Sequence, residues 1–191
     1  MIIFHTDTHA HKGKLWLVTE LLTGGDLSSR KLNEHDAKNV IEQVLRALVY
    51  LHRMGIVHRD IKLENVMYEN HSKGSTVRLI DFGLSRTFDR TSIVGDFGRT
   101  PYTMSPEAAG GGGTDGEFMT DKTDVWAVGV ITFIMLSGEF PFIKTNADLK
   151  DPEKMNRLKK VRGTSEASFQ APKSLSLEAC GPKYFRLSSL S

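Results

Sequence analysis

Two short polar runs, set at fixed distances behind one long amphipathic segment, limit the folds open to this chain. Between Asn33 and Met54, the residues Ala37, Val40, Ile41, Val44, Leu45, Leu48 and Leu51 recur at three- and four-residue spacing. That is the pattern of a helix with one buried stripe. Asn33 can cap its start, Glu34 and Asp36 suit its positive end, and Gly55 ends it. The octet His58-Arg59-Asp60-Ile61-Lys62-Leu63-Glu64-Asn65 follows at once, and Asp81-Phe82-Gly83 comes 21 residues after Asp60. The spacer has room for a loop, a strand pair and a turn at His71–Ser75. Loops carried on such rigid elements are where chemistry usually sits.

At 191 residues the chain can form one domain with a substantial core. A formal net charge of +2 gives no electrostatic case for nucleic acid or a membrane surface as the main partner. The single Cys180 allows no disulfide within the chain, which agrees with a reducing, intracellular setting, cytoplasmic or nuclear. Met1–Phe4 is too short an apolar run for a secretory signal. The longest apolar stretch, Trp126–Leu136, falls short of the roughly 20 residues that span a bilayer and reads as a buried helix. The histidines show no metal-ligand spacing, so no zinc site is expected.

Three further motifs follow the octet and the triplet in order. They are Ser105-Pro106-Glu107, Asp124-Val125-Trp126 with Gly129, and Gly138-Glu139-Phe140-Pro141-Phe142. Together the five resemble the catalytic core of a eukaryotic-type protein kinase, and Lys62 two residues after Asp60 resembles the serine/threonine form. The hinge and catalytic-loop wording is most similar to the calcium/calmodulin-dependent group. The fold so implied is α+β, mostly the helical large lobe with remnants of the small-lobe sheet. Residues 1–22 would be small-lobe strands and hinge, 23–180 an incomplete large lobe, and 181–191 a divergent tail.

The resemblance assigns roles that suit phosphoryl transfer, which needs in-line positioning and charge neutralisation more than covalent help. Asp60 would accept the proton of the substrate hydroxyl, and Lys62 would steady the γ-phosphate of ATP. Thr100 would bridge Asp60 and Lys62. Asn65 and Asp81 would hold Mg²⁺, a hard cation that takes oxygen ligands. Asp124, at the start of the apolar helix, would brace the catalytic loop. A second triplet, Asp96-Phe97-Gly98, lies only 11 residues before Glu107 and leaves no room for an activation segment, so the first is the metal-binding one.

By the same resemblance, Leu15–Leu22 is a buried strand running into the hinge, after an opening strand at Ile2-Ile3-Phe4-His5. Thr19 would be the gatekeeper, or simply a threonine in a strand, where β-branched residues belong. Glu20 and Leu22 would offer backbone groups to the adenine edge. Met67, Asp26 and Glu64 complete the implied nucleotide-binding set. Asp26 would contact the ribose or a basic substrate side chain, and Glu64 would share that preference for basic residues before the target serine or threonine. His58 would pack on Phe82 rather than act as acid or base. Arg99 and Thr103 depart from the family pattern, which usually has glycine and tyrosine there, at the place where substrate docks. Asp96 falls where a phosphothreonine is customary and could pair with Arg59, with Thr91 and Ser92 as rival phosphosites.

No Gly-x-Gly-x-x-Gly, strand lysine or partner helix precedes Glu20. An upstream segment of roughly 60–80 residues that supplies those parts is therefore expected. The late-helix partner of Glu107 is not recognisable either. The glycine-rich Ala108–Glu117 reads as a solvated loop. Lys150–Arg162 reads as a surface helix, with recruitment of calmodulin as the rival. Two functional readings stand. One is a Mg-ATP-dependent serine/threonine kinase, represented by a chain that binds nucleotide weakly and turns over little. The other is a non-catalytic kinase-like fragment that binds or regulates partners.

Overall fold

The computed structural model describes residues 2–87, 100–109 and 121–161. The second Asp-Phe-Gly, Asp96, Thr91, Ser92, Arg99, the glycine-rich run from residue 110 and Ser174–Ala179 lie outside the described residues.

A hairpin opens the chain, with β1 (His5–His11) antiparallel to β2 (Lys14–Thr19). Its two-residue turn is Lys12-Gly13, both at positive φ, the backbone that matches strand twist in tight hairpins. A short 3₁₀ turn (Leu27–Ser29) leads to α1 (Glu34–Arg53) and β3 (Ile56–Val57). Then come β4 (Val66–Tyr68), β5 (Val77–Leu79), β6 (Arg86–Thr87), α2 (Pro106–Ala109), α3 (Asp121–Ser137) and α4 (Pro152–Val161).

The capping chemistry of α1 is as its sequence dictates. Asn33 Oδ1 accepts from the Asp36 N–H at 2.9 Å, and Gly55, at φ +70°, turns the chain out of the helix. Of the expected stripe, Ala37, Val40, Val44, Leu48 and Leu51 are buried, and Ile41 is half-buried. Leu45 is the exception. It is exposed, and Ala47 takes the inward position instead. The stripe follows the 3.6-residue period, and Leu45 lies at its outer margin.

The α1 stripe meets α3, which is apolar nearly all round, as a helix enclosed by its neighbours must be. Ala127, Val128 and Ile131 of α3 join Val44, Leu48 and Leu51 of α1 and Val66, Val77 and Leu79 of the β4–β5 hairpin in one core. No described helix is long and apolar enough to cross a membrane. Helix α4 turns Leu158 inward, with Met155 and Val161 half-buried and Lys159 and Lys160 exposed, so Lys150–Arg162 contains a surface helix.

The opening strand differs from expectation in two ways. Ile2 and Ile3 are not part of β1. Ile2 bridges Leu79 in parallel, and the Ile3 N–H donates to Leu79 O at 3.1 Å. Nor is Leu15–Leu22 a buried strand. Leu15, Trp16 and Leu17 are 65%, 58% and 65% exposed, and only Leu22 is buried. A two-stranded ribbon has two faces to cover, and no described element packs on either face of this one.

Candidate active site

Two small antiparallel pairs fix the polar octet against the triplet. Strand β3 immediately precedes His58, β6 closely follows Gly83, and the two pair through Ile56↔Thr87 and Val57↔Arg86. Strands β4 and β5 pair through Val66↔Leu79, and the Ile80 N–H donates to Asn65 O at 2.9 Å. Residues distant in sequence, Asn65 and Asp81, are thereby set side by side on neighbouring strand ends.

Asp60 is the hub. It is buried, and three side chains donate to its carboxylate. Lys62 Nζ reaches Oδ2 at 2.7 Å, Asn65 Nδ2 reaches the same oxygen at 2.9 Å, and Thr100 Oγ1 reaches Oδ1 at 2.7 Å. Asn65 Nδ2 also donates to Asp60 O at 2.8 Å. Charge-assisted hydrogen bonds of this kind hold a buried carboxylate in one orientation. Lys62 and Thr100 thus converge on opposite oxygens of Asp60.

His58 supports this hub from beneath. The ring is fully buried and meets Phe82 edge-on at 4.8 Å between centroids. Nε2 lies 3.1 Å from Ile80 O, and Nδ1 accepts the Asp60 N–H at 3.3 Å. Those partners suit a neutral ring that is protonated on Nε2. Burial pushes the imidazole pKa down from its usual value, although the Asp124 carboxylate pulls the other way.

Asp124 braces the loop from α3, as expected. Oδ2 accepts the His58 N–H at 2.9 Å, and Oδ1 accepts the Arg59 N–H at 2.8 Å. Arg59 sits at φ +72°, a left-handed backbone rare outside glycine, and Asp124 helps hold it there. His52 Nε2 lies 2.8 Å from the same Asp124 Oδ2. Sequence reasoning missed His52, because nothing in the last turn of a helix announces a partner 72 residues away.

The cation ligands expected at Asn65 and Asp81 fit a hard ion by their donor set. The Asn65 amide nitrogen is committed to Asp60, which leaves Oδ1 as its remaining donor atom. Asp81, at φ +60°, accepts the Gly83 N–H through Oδ1 at 3.1 Å and is exposed. Among the described residues no cluster of three or more His, Cys, Asp or Glu side chains could hold a metal unaided. Two oxygen donors, completed by water and phosphate, match the ligation Mg²⁺ prefers.

The remaining expected residues fall along the hinge and its exit. Thr19 ends β2, exposed, in register with His5. The Glu20 N–H donates to Phe4 O at 3.1 Å. The Glu20 carboxylate accepts from Phe4 N at 2.9 Å and from Arg78 Nε at 3.1 Å. Arg78, which sequence reasoning also passed over, thereby ties the hinge to β5. Leu22 is buried. Asp26 bridges Met67 across the chain and caps the 3₁₀ turn, accepting from Ser28 N at 2.8 Å and Ser28 Oγ at 2.5 Å. Glu64 is exposed and accepts from the Tyr102 hydroxyl. Gly138–Phe142 lies beside the segment 100–104, since Phe140 packs edge-on against Tyr102, and Phe142 stacks on Trp126, whose Nε1 donates to Met104 O.

Comparison with known proteins agrees with this geometry. The protein kinase domain family matches residues 1–181. A death-associated protein kinase of Caenorhabditis elegans is 41% identical over 137 residues, which is 69% of this chain and 9% of the relative. Calcium/calmodulin-dependent protein kinase type 1 of the same organism is 39% identical over 141 residues, 71% of this chain and 39% of the relative. A calcium and calcium/calmodulin-dependent serine/threonine-protein kinase of Pisum sativum is 39% identical over 146 residues, 73% of this chain and 27% of the relative. The matched part spans well under half the length of each of these relatives. With its octet, its triplet and the Asp124 brace in place, and the family matching nearly its whole length, this chain belongs to the protein kinase domain family.

Proposed function

We propose that this chain carries the phosphoryl-transfer loop and the metal loop of a serine/threonine protein kinase that uses Mg-ATP. The observation that supports it most is the convergence of Lys62, Asn65 and Thr100 on the Asp60 carboxylate. Asp60, so oriented, is the group to receive the proton of an incoming serine or threonine hydroxyl. Lys62, hydrogen-bonded to that carboxylate, would steady the γ-phosphate. Asn65 and Asp81 are the residues that would hold Mg²⁺, which neutralises the phosphate charge when bound. Glu20, Leu22, Met67 and Thr19 would meet the nucleotide base. The division into 1–22, 23–180 and 181–191 and an intracellular setting belong to the same proposal.

Calmodulin dependence is named for the relatives. Here the burial of Leu158 supports a packed surface role for α4 over its recruitment by calmodulin. The exposure of both hairpin faces favours the second reading, a kinase-like regulatory module. One comparison separates the two. In the complete protein, Asp60→Asn should lower peptide phosphorylation about 10²–10⁴-fold while leaving Mg-dependent nucleotide binding in place. Equal, low activity in wild type and variant, with nucleotide bound in both, supports the regulatory module.

A further inference from the structure

Strand β1 carries Asp7, His9 and His11 at alternate positions, and alternate residues of a strand share a face. The register with β2 sets Asp7 against Val18, His9 against Trp16 and His11 against Lys14, on the face opposite Leu15 and Leu17. His5 does not join them. The register shifts between His5 and Asp7, and His5 Nε2 meets Thr8 Oγ1 at 2.6 Å instead. Two of the three side chains are already ordered. The Thr8 N–H donates to Asp7 Oδ1 at 2.7 Å, and Asp7 Oδ2 stands 3.0 Å from His9 Nε2. A carboxylate at Nε2 keeps the ring proton there and leaves the lone pair on Nδ1.

We propose that His9 and His11 form a binding site for a divalent transition ion of the Ni²⁺, Cu²⁺ or Zn²⁺ class, with Asp7 as the residue that orients His9. Neutral imidazole is a preferred ligand of these ions. Residues two apart on a strand lie about 6–7 Å from each other. Bonds of about 2 Å from ion to nitrogen require the two rings to close to about 3–4 Å. Both rings can lean to that distance, since the His9 side chain is 63% exposed and His11 is exposed as well. Among the described residues no three such groups gather on one point as they stand. Two imidazoles therefore hold the ion, and water fills its other positions. Lys14 faces His11 across the ribbon, and the Asp7 carboxylate offsets its charge. The histidine spacing in the sequence gave no expectation of a metal site, because an interval of two brings side chains together only on a strand. The site uses no part of the phosphoryl-transfer loop and is independent of the kinase reading.

Trp16, opposite His9, is a built-in reporter. Ni²⁺ is titrated into the dilute 191-residue chain while tryptophan fluorescence is followed. The paramagnetic ion should quench Trp16, and Trp16→Phe should remove the quenching although Trp126 remains. His9→Gln and His11→Gln should each raise the Ni²⁺ midpoint by more than about tenfold, and Asp7→Ala should raise it about tenfold. His71→Gln, which removes an exposed histidine of another turn, should leave it unchanged. Asp7, His9 and His11 are exposed, so the urea midpoints of their variants should match wild type, which separates lost binding from a lost fold. Wild type without quenching, or a Ni²⁺ midpoint that His9→Gln and His11→Gln leave in place, overturns the site. An equal shift from His71→Gln also overturns it, since the ion would then be held by scattered histidines. A midpoint that Asp7→Ala leaves in place overturns the orienting role of Asp7.

Discussion

His52 Nε2 stands 2.8 Å from Oδ2 of Asp124, and this pair joins the last turn of α1 to the first turn of α3 beneath the catalytic loop. The same carboxylate accepts the backbone N–H groups of His58 and Arg59. Asp124→Ala would leave both N–H groups buried without an acceptor and release the left-handed Arg59 backbone. Each orphaned group costs about 1–3 kcal/mol, so urea unfolding should show a loss of about 3–5 kcal/mol. His52→Ala, which leaves those two bonds intact, should cost about 1–2 kcal/mol. Equal losses for the two variants would mean that the loop does not depend on Asp124 in this way.

Stability should fall in mild acid because of His58. Its folded-state pKa is lowered by burial. Below the ordinary histidine value of about 6.5 the unfolded chain therefore binds a proton that the folded chain does not. The contribution is complete above that value and is lost as the pH falls through it towards the lowered value. His58→Phe, which removes the partners of Ile80 O and the Asp60 N–H, should be less stable near neutrality. The gap to wild type should narrow from about pH 7.5 to about pH 5, read as urea midpoints. A gap that stays constant would argue for a ring that titrates freely.

Gly24 and Gly55 should respond to alanine for different reasons. A Cβ on Gly24 would stand 2.2 Å from Asn70 O and 2.5 Å from Tyr68 Cβ. The backbone there cannot retreat, because Gly24 N donates to Tyr68 O and Arg30 Nη2 donates to Gly24 O. Gly24→Ala should cost about 2–3 kcal/mol by overpacking. Gly55 has open space around its missing Cβ and a φ of +70°. Its alanine variant should lose only about 1–2 kcal/mol, the strain of a left-handed alanine. Thermal unfolding of the two should rank them in that order.

Thr100 donates to the Asp60 oxygen that Lys62 and Asn65 leave free. In the complete protein, Thr100→Val should lower kcat about tenfold or more, the worth of one hydrogen bond to a charged group. Thr100→Ser, which keeps the hydroxyl, should restore most of it. A serine variant as slow as the valine one would assign the effect to packing.

The β1–β2 hairpin should make the 191-residue chain self-associate. Leu15 and Leu17 project from one exposed face of β2, in register with Ala10 and Thr8. Leu17→Lys should raise the concentration at which light scattering appears and leave the unfolding midpoint nearly unchanged. A large drop in that midpoint would reveal a covered face.

The sequence alone determined the parts whose physics is local or periodic. The α1 stripe, its Asn33 cap and its Gly55 stop were readable because helix period and end chemistry act within a few residues. The turn at His71–Ser75 and the apolar α3 were readable for the same reason. Asp60, Lys62, Asn65 and Asp81 were readable as a set through the protein-kinase motifs they stand in, and the spacing between those motifs left room for one loop and one hairpin. Contacts across long sequence distances were decided only by tertiary packing. The His52–Asp124 pair, the Tyr102–Glu64 hydrogen bond and the Arg78–Glu20 tie each join residues 38 to 72 positions apart. Exposure of Leu15–Val18 was likewise invisible in an apolar run, because burial depends on what packs against a strand and not on the strand's own residues.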